Sequence, residues 1–203
     1  MFPGKILVGI HIRMEDITRK TNGRKVAPPE FYHKAMTYFR HKLNDVMFLV
    51  VSSKPIWFVE SVMNLKEEEE IKTKSDLKQK HEDADEAKAN LFTNSNHTQL
   101  GPSFHDFASI LRKLKSKANQ DIILLPGSDV ALLPRGQSAA CDLELLSKLD
   151  HIIITVGTFG WFAAYKSKGT VVAFKNFYEP GSPFAKAFQH CIDDYFYPGW
   201  ILM

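Results

Sequence analysis

Two short stretches of this 203-residue sequence concentrate the side chains that could do chemistry. The first, His11-Ile12-Arg13-Met14-Glu15-Asp16, closes an apolar, β-branched run with an imidazole, a guanidinium and two carboxylates. A guanidinium stays charged at any physiological pH and presents a planar fork of N–H donors, so Arg13 at a strand end suits an anionic oxygen. The alternative is a surface ion pair of Arg13 with Glu15 or Asp16. The second stretch, Asp150 to Trp161, runs from strand-like residues through Thr155-Val156-Gly157-Thr158-Phe159-Gly160 into a helix-like segment. Unpaired N–H groups at a helix start, a glycine that admits close backbone approach and a threonine hydroxyl together make a receptor for phosphate. Read alone, Thr158 can also be a plain N-cap and Gly157 a turn glycine.

Both stretches need a sheet edge to hold them. Ile6–Ile12, Val46–Val51, Ile122–Leu125, Ile152–Val156 and Thr170–Phe174 are continuous apolar runs, the pattern of strands buried on both faces. Between the first two, Pro28-Pro29-Glu30 suits a helix start, and Phe31, Ala35, Phe39 and Leu43 recur every four residues as one buried stripe. Ser138–Leu149 and Thr158–Lys168 are helix-like and each precedes a strand. The expected fold is therefore α/β, a single domain over 1–203 with a Rossmann-like parallel sheet and helices on both faces. Ligands of such sheets bind at the carboxyl edge, where Arg13 falls.

Residues 66–102 interrupt this pattern with a run of glutamates, Glu67 to Glu70, and a dense mix of Lys, Asp and Glu, so they are expected to form an exposed, solvated insertion. Helical spacing resumes over Ser103–Lys117. Asp83-Ala84-Asp85 resembles a metal-binding Asp-x-Asp, but it falls in the insertion and not at a strand end, so no metal is expected. A formal net charge of +3, with lysines scattered among acids, argues against nucleic-acid binding. No apolar run approaches the roughly 20 residues needed to span a bilayer, and the chain as given reads as soluble. Cys141 and Cys191 form no zinc-type motif, and whether they pair is left open. Asn96-His97-Thr98 is an N-glycosylation acceptor pattern.

Taken together, the motifs resemble a known family. His11 to Asp16 is similar to the opening His-x-Arg-Arg-x-Asp motif of the galactoside α-1,2-fucosyltransferases. Asp150 to Trp161, continuing as Phe162-Ala163-Ala164-Tyr165, closely resembles that family's Thr-x-Gly-Thr-Phe-Gly-x-x-Ala-Ala-Tyr signature, and Asn176-Phe177-Tyr178 and Ser182-Pro183-Phe184 extend the likeness. The resemblance implies the C-terminal, donor-binding domain of a GT-B glycosyltransferase that moves L-fucose from GDP-fucose to a galactose hydroxyl of a glycan with inversion. It implies that Arg13 holds the β-phosphate, with Gly157, Thr158 and Phe159 around the same diphosphate. His11 would lie near the nucleoside and Asp142 would accept from guanine N–H groups. Asp16 is a candidate catalytic carboxylate by proximity. No cofactor is implied, and the location implied is the Golgi lumen, with membrane attachment only through an upstream anchor.

The sequence departs from the motif at Met14, where the family has a second arginine, and at Glu15, which adds an anion. The family also carries an anchor and an acceptor-side domain upstream, so the chain is expected to be a fragment or a truncated form. A non-catalytic GDP-sugar-binding remnant therefore stands as the alternative function.

Overall fold

The computed structural model describes residues 2–14, 23–64, 109–110, 112–114, 122–133, 138–188 and 195–203. Strand β1 (Ile6–Ile12) pairs in parallel along its whole length with β2 (Val46–Ser52), from Ile6 opposite Val46 to Ile12 opposite Ser52. Between them lies helix α1 (Pro29–Lys42), with Pro29 at its start, Glu30 in the first turn and Arg40, His41 and Lys42 in the last. That charge order complements the helix dipole. Its buried side is Phe31, Tyr32, Ala35, Met36 and Phe39; Phe31, Ala35 and Phe39 follow the expected four-residue spacing, whereas Leu43 falls at the C-cap and is half-buried. Each such large apolar side chain contributes about 1.5–3 kcal/mol relative to exposure.

After the short helix α2 (Pro55–Ser61), the chain returns through β3 (Ile123–Leu124) and β4 (Val130–Leu132). Here one expectation is corrected. The Ile122–Leu125 run does form a strand, but β3 pairs antiparallel with β4 and sits at the sheet edge. Leu125-Pro126-Gly127-Ser128 reverses the chain: the Ser128 hydroxyl and N–H both donate to the Leu125 carbonyl, at 3.0 and 3.2 Å. A reversal this tight can only deliver an antiparallel neighbour.

Next come α3 (Ala139–Lys148), β5 (His151–Ile154), α4 (Thr158–Lys166) and β6 (Val171–Ala173), alternating as expected, and then α5 (Pro183–Ala187) and β7 (Ile201–Leu202), which the sequence reading did not include. Every strand pair other than β3–β4 is parallel, and the sheet order is β3-β4-β2-β1-β5-β6-β7. Counting only the parallel strands in chain order, this is 3-2-1-4-5-6, the order of a Rossmann-type sheet. Of the expected helix after the insertion, residues 109–110 and 112–114 are helical, with Ile110 and Leu114 buried.

Alternate residues of the strands feed two cores. Val8, Ile10, Phe48, Val50, Ile153 and Val172 pack with α1 and α2 on one face. Met47, Leu49, Val51, Ile152, Ile154 and Val171 pack with α3 and α4 on the other. Strands covered on both sides can carry no alternation, which is why they appear as unbroken apolar runs.

Candidate functional site

The sheet order reverses between β1 and β5, so the chain leaves these adjacent strands toward opposite flanks and opens a crevice at their carboxyl ends. His11 stands opposite Ile154 in the register, and the next residues of both strands lead into that crevice. Thr155 ties the two tips together. Its buried hydroxyl accepts the Arg13 N–H at 3.3 Å and donates to the His11 carbonyl at 3.5 Å. A side chain with a donor and an acceptor on one oxygen can satisfy both groups of the neighbouring strand end.

His11 is the buried member of the site, 6% exposed, with its ring centroid 5.0 Å from that of Phe159. Burial, and then the Arg13 charge, hold its pKa down to about 4, so the imidazole is neutral at neutral pH. It therefore offers shape, one donor and one acceptor, but no charge. Nδ1 is fully enclosed and has no hydrogen-bond partner among the described residues. The ring fits only because residue 160 is glycine: a Cβ there would lie 2.6 Å from Nδ1.

Two cavities meet at Arg13. One, of about 400 Å³, is lined by His11, Arg13, Ser52, Ser53, Asp142 and Phe159, the other, of about 330 Å³, by Arg13, Arg24, Gly157, Thr158, Phe184 and Tyr195 among others. Both are of the size that small ligands occupy. Asp142 reaches the first from the first turn of α3, whose start is fixed by the Ser138 hydroxyl accepting the Cys141 N–H at 3.2 Å. Partial burial raises its carboxyl pKa.

The second cavity contains the start of α4. Gly157 occupies the N-cap position with φ +116°, a conformation that side-chain-bearing residues rarely adopt, and no side chain among the described residues caps the helix there. Thr158 is the first helical residue and not the N-cap. A Cβ on Gly157 would come 3.8 Å from Cγ of Arg13, so the arginine stem runs across this turn. Tyr195 docks on the same helix end: its hydroxyl accepts the Gly157 N–H at 3.2 Å, and its carbonyl accepts the Trp161 indole N–H at 2.6 Å.

The structure thus brings His11, Arg13, Asp142 and Phe159 to one cavity and Arg13, Gly157 and Thr158 to the other. Glu15, Asp16, Asp83, Asp85, Asn96 and Cys191 lie outside the described residues, and Cys141 is exposed and free. Asp150 and His151, which open the second motif, lie at the far end of β5. There Asp150 accepts the Leu7 N–H at 2.8 Å and His151 Nδ1 accepts the Thr170 N–H at 2.9 Å, both structural duties. Sequence reasoning overlooked Thr155 as a tie and Arg24, Ser52, Ser53 and Tyr195 as lining. Only Thr155, inside the second motif, carried a local signal. Among the described residues no three His, Cys, Asp or Glu side chains gather as a metal site, and no helix is long and apolar enough to cross a membrane.

Known proteins match part of this chain. The family model described as Glycosyl transferase family 11 matches residues 123–203. The chain is 40% identical over 75 residues to galactoside 2-alpha-L-fucosyltransferase Sec1 of Mus musculus, covering 36% of this chain and 20% of that protein. It is 42% identical over 64 residues to galactoside alpha-(1,2)-fucosyltransferase 2 of Bos taurus, 32% of this chain and 18% of the relative. Against galactoside alpha-(1,2)-fucosyltransferase 1 of Homo sapiens the figures are 40% over 75 residues, 36% and 20%. The matched part spans about a fifth of the length of these curated relatives. No solved structure matches the chain significantly.

Proposed function

We propose, from the match of residues 123–203 to the model of glycosyl transferase family 11, that this chain is the donor-binding part of a galactoside 2-α-L-fucosyltransferase, holding GDP-fucose at the β1–β5 crevice. The observation that carries the reading is the position of Arg13. It borders both cavities and crosses the Gly157 turn at a topological switch point. The nucleoside is assigned to the His11–Asp142 cavity, with the Asp142 carboxylate accepting from guanine N–H groups, and the diphosphate to the Arg13–Gly157–Thr158 junction beside Phe159.

In this reading an acceptor galactose hydroxyl attacks the fucosyl anomeric carbon as the bond from that carbon to the β-phosphate oxygen breaks. The electron pair leaves with GDP, and the hydroxyl proton passes to a carboxylate, for which Asp16 is the candidate. Arg13 and the open N–H groups at the start of α4 stabilise the charge that grows on the leaving diphosphate. The chemistry needs no cofactor from the chain. We further read residues 1–203 as one nucleotide-sugar-binding domain of GT-B type with 66–102 as an insertion. Its place would be the Golgi lumen, with Asn96 glycosylated.

Calorimetry with GDP on the wild type and on Arg13→Ala tests the assignment. Loss of a charge-assisted contact is expected to weaken binding about 10- to 100-fold. Unchanged GDP affinity in the variant would refute it. A second reading, a GDP-sugar-binding remnant without turnover, is favoured by Met14: where the resembling motif has a second arginine, this side chain is 7% exposed within the α1-side core. GDP binding without hydrolysis or transfer of GDP-fucose would support that reading, and transfer to a galactoside would exclude it.

A further inference from the structure

We infer that Arg24 is a second anion-binding residue of this site, acting with Arg13 to select a ligand that carries a diphosphate over one that carries a single phosphate. The inference deepens the donor-site reading above and rests on it.

Arg24 belongs to neither motif, and the fold holds it in place by backbone bonds on both sides. It forms an antiparallel bridge with Tyr178, while the Lys25 N–H donates to the Phe177 carbonyl and the Glu179 N–H to the Gly23 carbonyl, each at 2.7 Å. Phe177 itself is fully buried, so this clasp stands on the core. The guanidinium carbon lies over the ring of Phe184, 4.7 Å from its centroid, within cation–π range. A guanidinium stacked on an aromatic face keeps its edge N–H donors free for a planar acceptor. No carboxylate among the described residues pairs with Arg24.

Arg24 and Arg13 line the same cavity of about 330 Å³, at the start of α4. Arg24 also stands close enough to Tyr195 for its charge to act there: burial raises the Tyr195 pKa, while the Gly157 N–H and the Arg24 charge oppose the rise. A ligand with charge spread over two linked phosphates can meet both arginines that line this cavity, whereas a single phosphate is met by one arginine alone.

The test uses the full chain, titrated calorimetrically with GDP, GMP, guanosine and inorganic pyrophosphate, for the wild type, Arg24→Gln and Arg24→Lys. The expected result is a loss of about tenfold or more for GDP and pyrophosphate in Arg24→Gln, with little change for guanosine and GMP. Arg24→Lys should recover part of the loss, and the salt dependence of GDP binding should flatten in Arg24→Gln. Because Arg24 is exposed, both variants should melt with the wild type. Wild-type GDP affinity in Arg24→Gln overturns this inference and leaves the donor site standing. An equal loss for guanosine overturns it too, since the residue would then act through the fold. If the wild type binds neither GDP nor pyrophosphate, the donor-site reading fails and this inference falls with it.

Discussion

Replacing Gly160 with alanine probes the fit between β1 and α4 most directly. The added methyl would stand 2.6 Å from Nδ1 of His11, whereas ordinary contacts begin at 3.4 Å, so about 0.8 Å of clearance must be found. The imidazole has little freedom to supply it, being 6% exposed and packed against Phe159. Either the ring is pushed toward the larger cavity or α4 lifts from the sheet. Overpacking of this kind costs about 1–3 kcal/mol, partly offset by the ~0.5–1 kcal/mol that alanine gains over glycine in a helix. We expect Gly160→Ala to lower stability by roughly 1–2 kcal/mol in urea denaturation. GDP binding should weaken in the same variant, because His11 lines the cavity. The decisive comparison is the double mutant: with His11→Ala already present there is nothing to strike, and Gly160→Ala should become neutral or stabilising. Additive destabilisation in the double mutant, or a single Gly160→Ala that is more stable than the wild type, would refute the reasoning.

His11 also sets a pH dependence. Its folded pKa lies near 4 against 6.5 unfolded, so the fold favours the neutral ring. This contribution is complete above about pH 6.5 and is lost as pH falls toward 4, because there the unfolded chain takes up a proton that the folded chain refuses. The limb amounts to at most about 3 kcal/mol and should flatten in His11→Asn, as urea titrations between pH 4 and 7 would reveal. Thr155→Val removes the hydroxyl that joins the two strand tips and with it the bonds to the Arg13 N–H and the His11 carbonyl, for an expected cost of about 1–3 kcal/mol. Thr155→Ser should retain most of that stability in thermal melts; an equal loss in Ser and Val would show that the methyl group, not the hydroxyl, matters. Arg13→Ala, being exposed, should leave the melting temperature unchanged while weakening GDP in calorimetry.

Much of this architecture is legible in the chain itself. Ile6–Ile12 could be delimited from sequence because a strand covered on both faces must be apolar throughout. The Phe31, Ala35, Phe39 spacing likewise marks the face of α1 that meets the sheet. Strands β4 and β7 escaped notice; β3 and β6 are as short, but they lie within longer apolar runs, Ile122–Leu125 and Thr170–Phe174. Such short segments become strands only because a neighbour offers its hydrogen-bonding edge, as β6 does for β7.

The site divides in the same way. Residue types and local order offer Arg13 as a candidate anion ligand and the Gly157–Thr158 turn as a candidate phosphate receptor, because a guanidinium fork and a helix start carry that chemistry wherever they occur. Their meeting was decided by the strand order, which sets β1 beside β5 and brings Arg13 against Thr155 and Gly157, more than a hundred positions away. The neutrality of His11 was likewise decided by packing, since an exposed imidazole in the same motif would titrate near 6.5. Arg24 and Tyr195 show the limit most clearly. Neither sits in a recognisable pattern, and each acquires its place only when β1, β6 and the C-terminal segment are folded onto one another, because a cavity belongs to surfaces that no single stretch of chain contains.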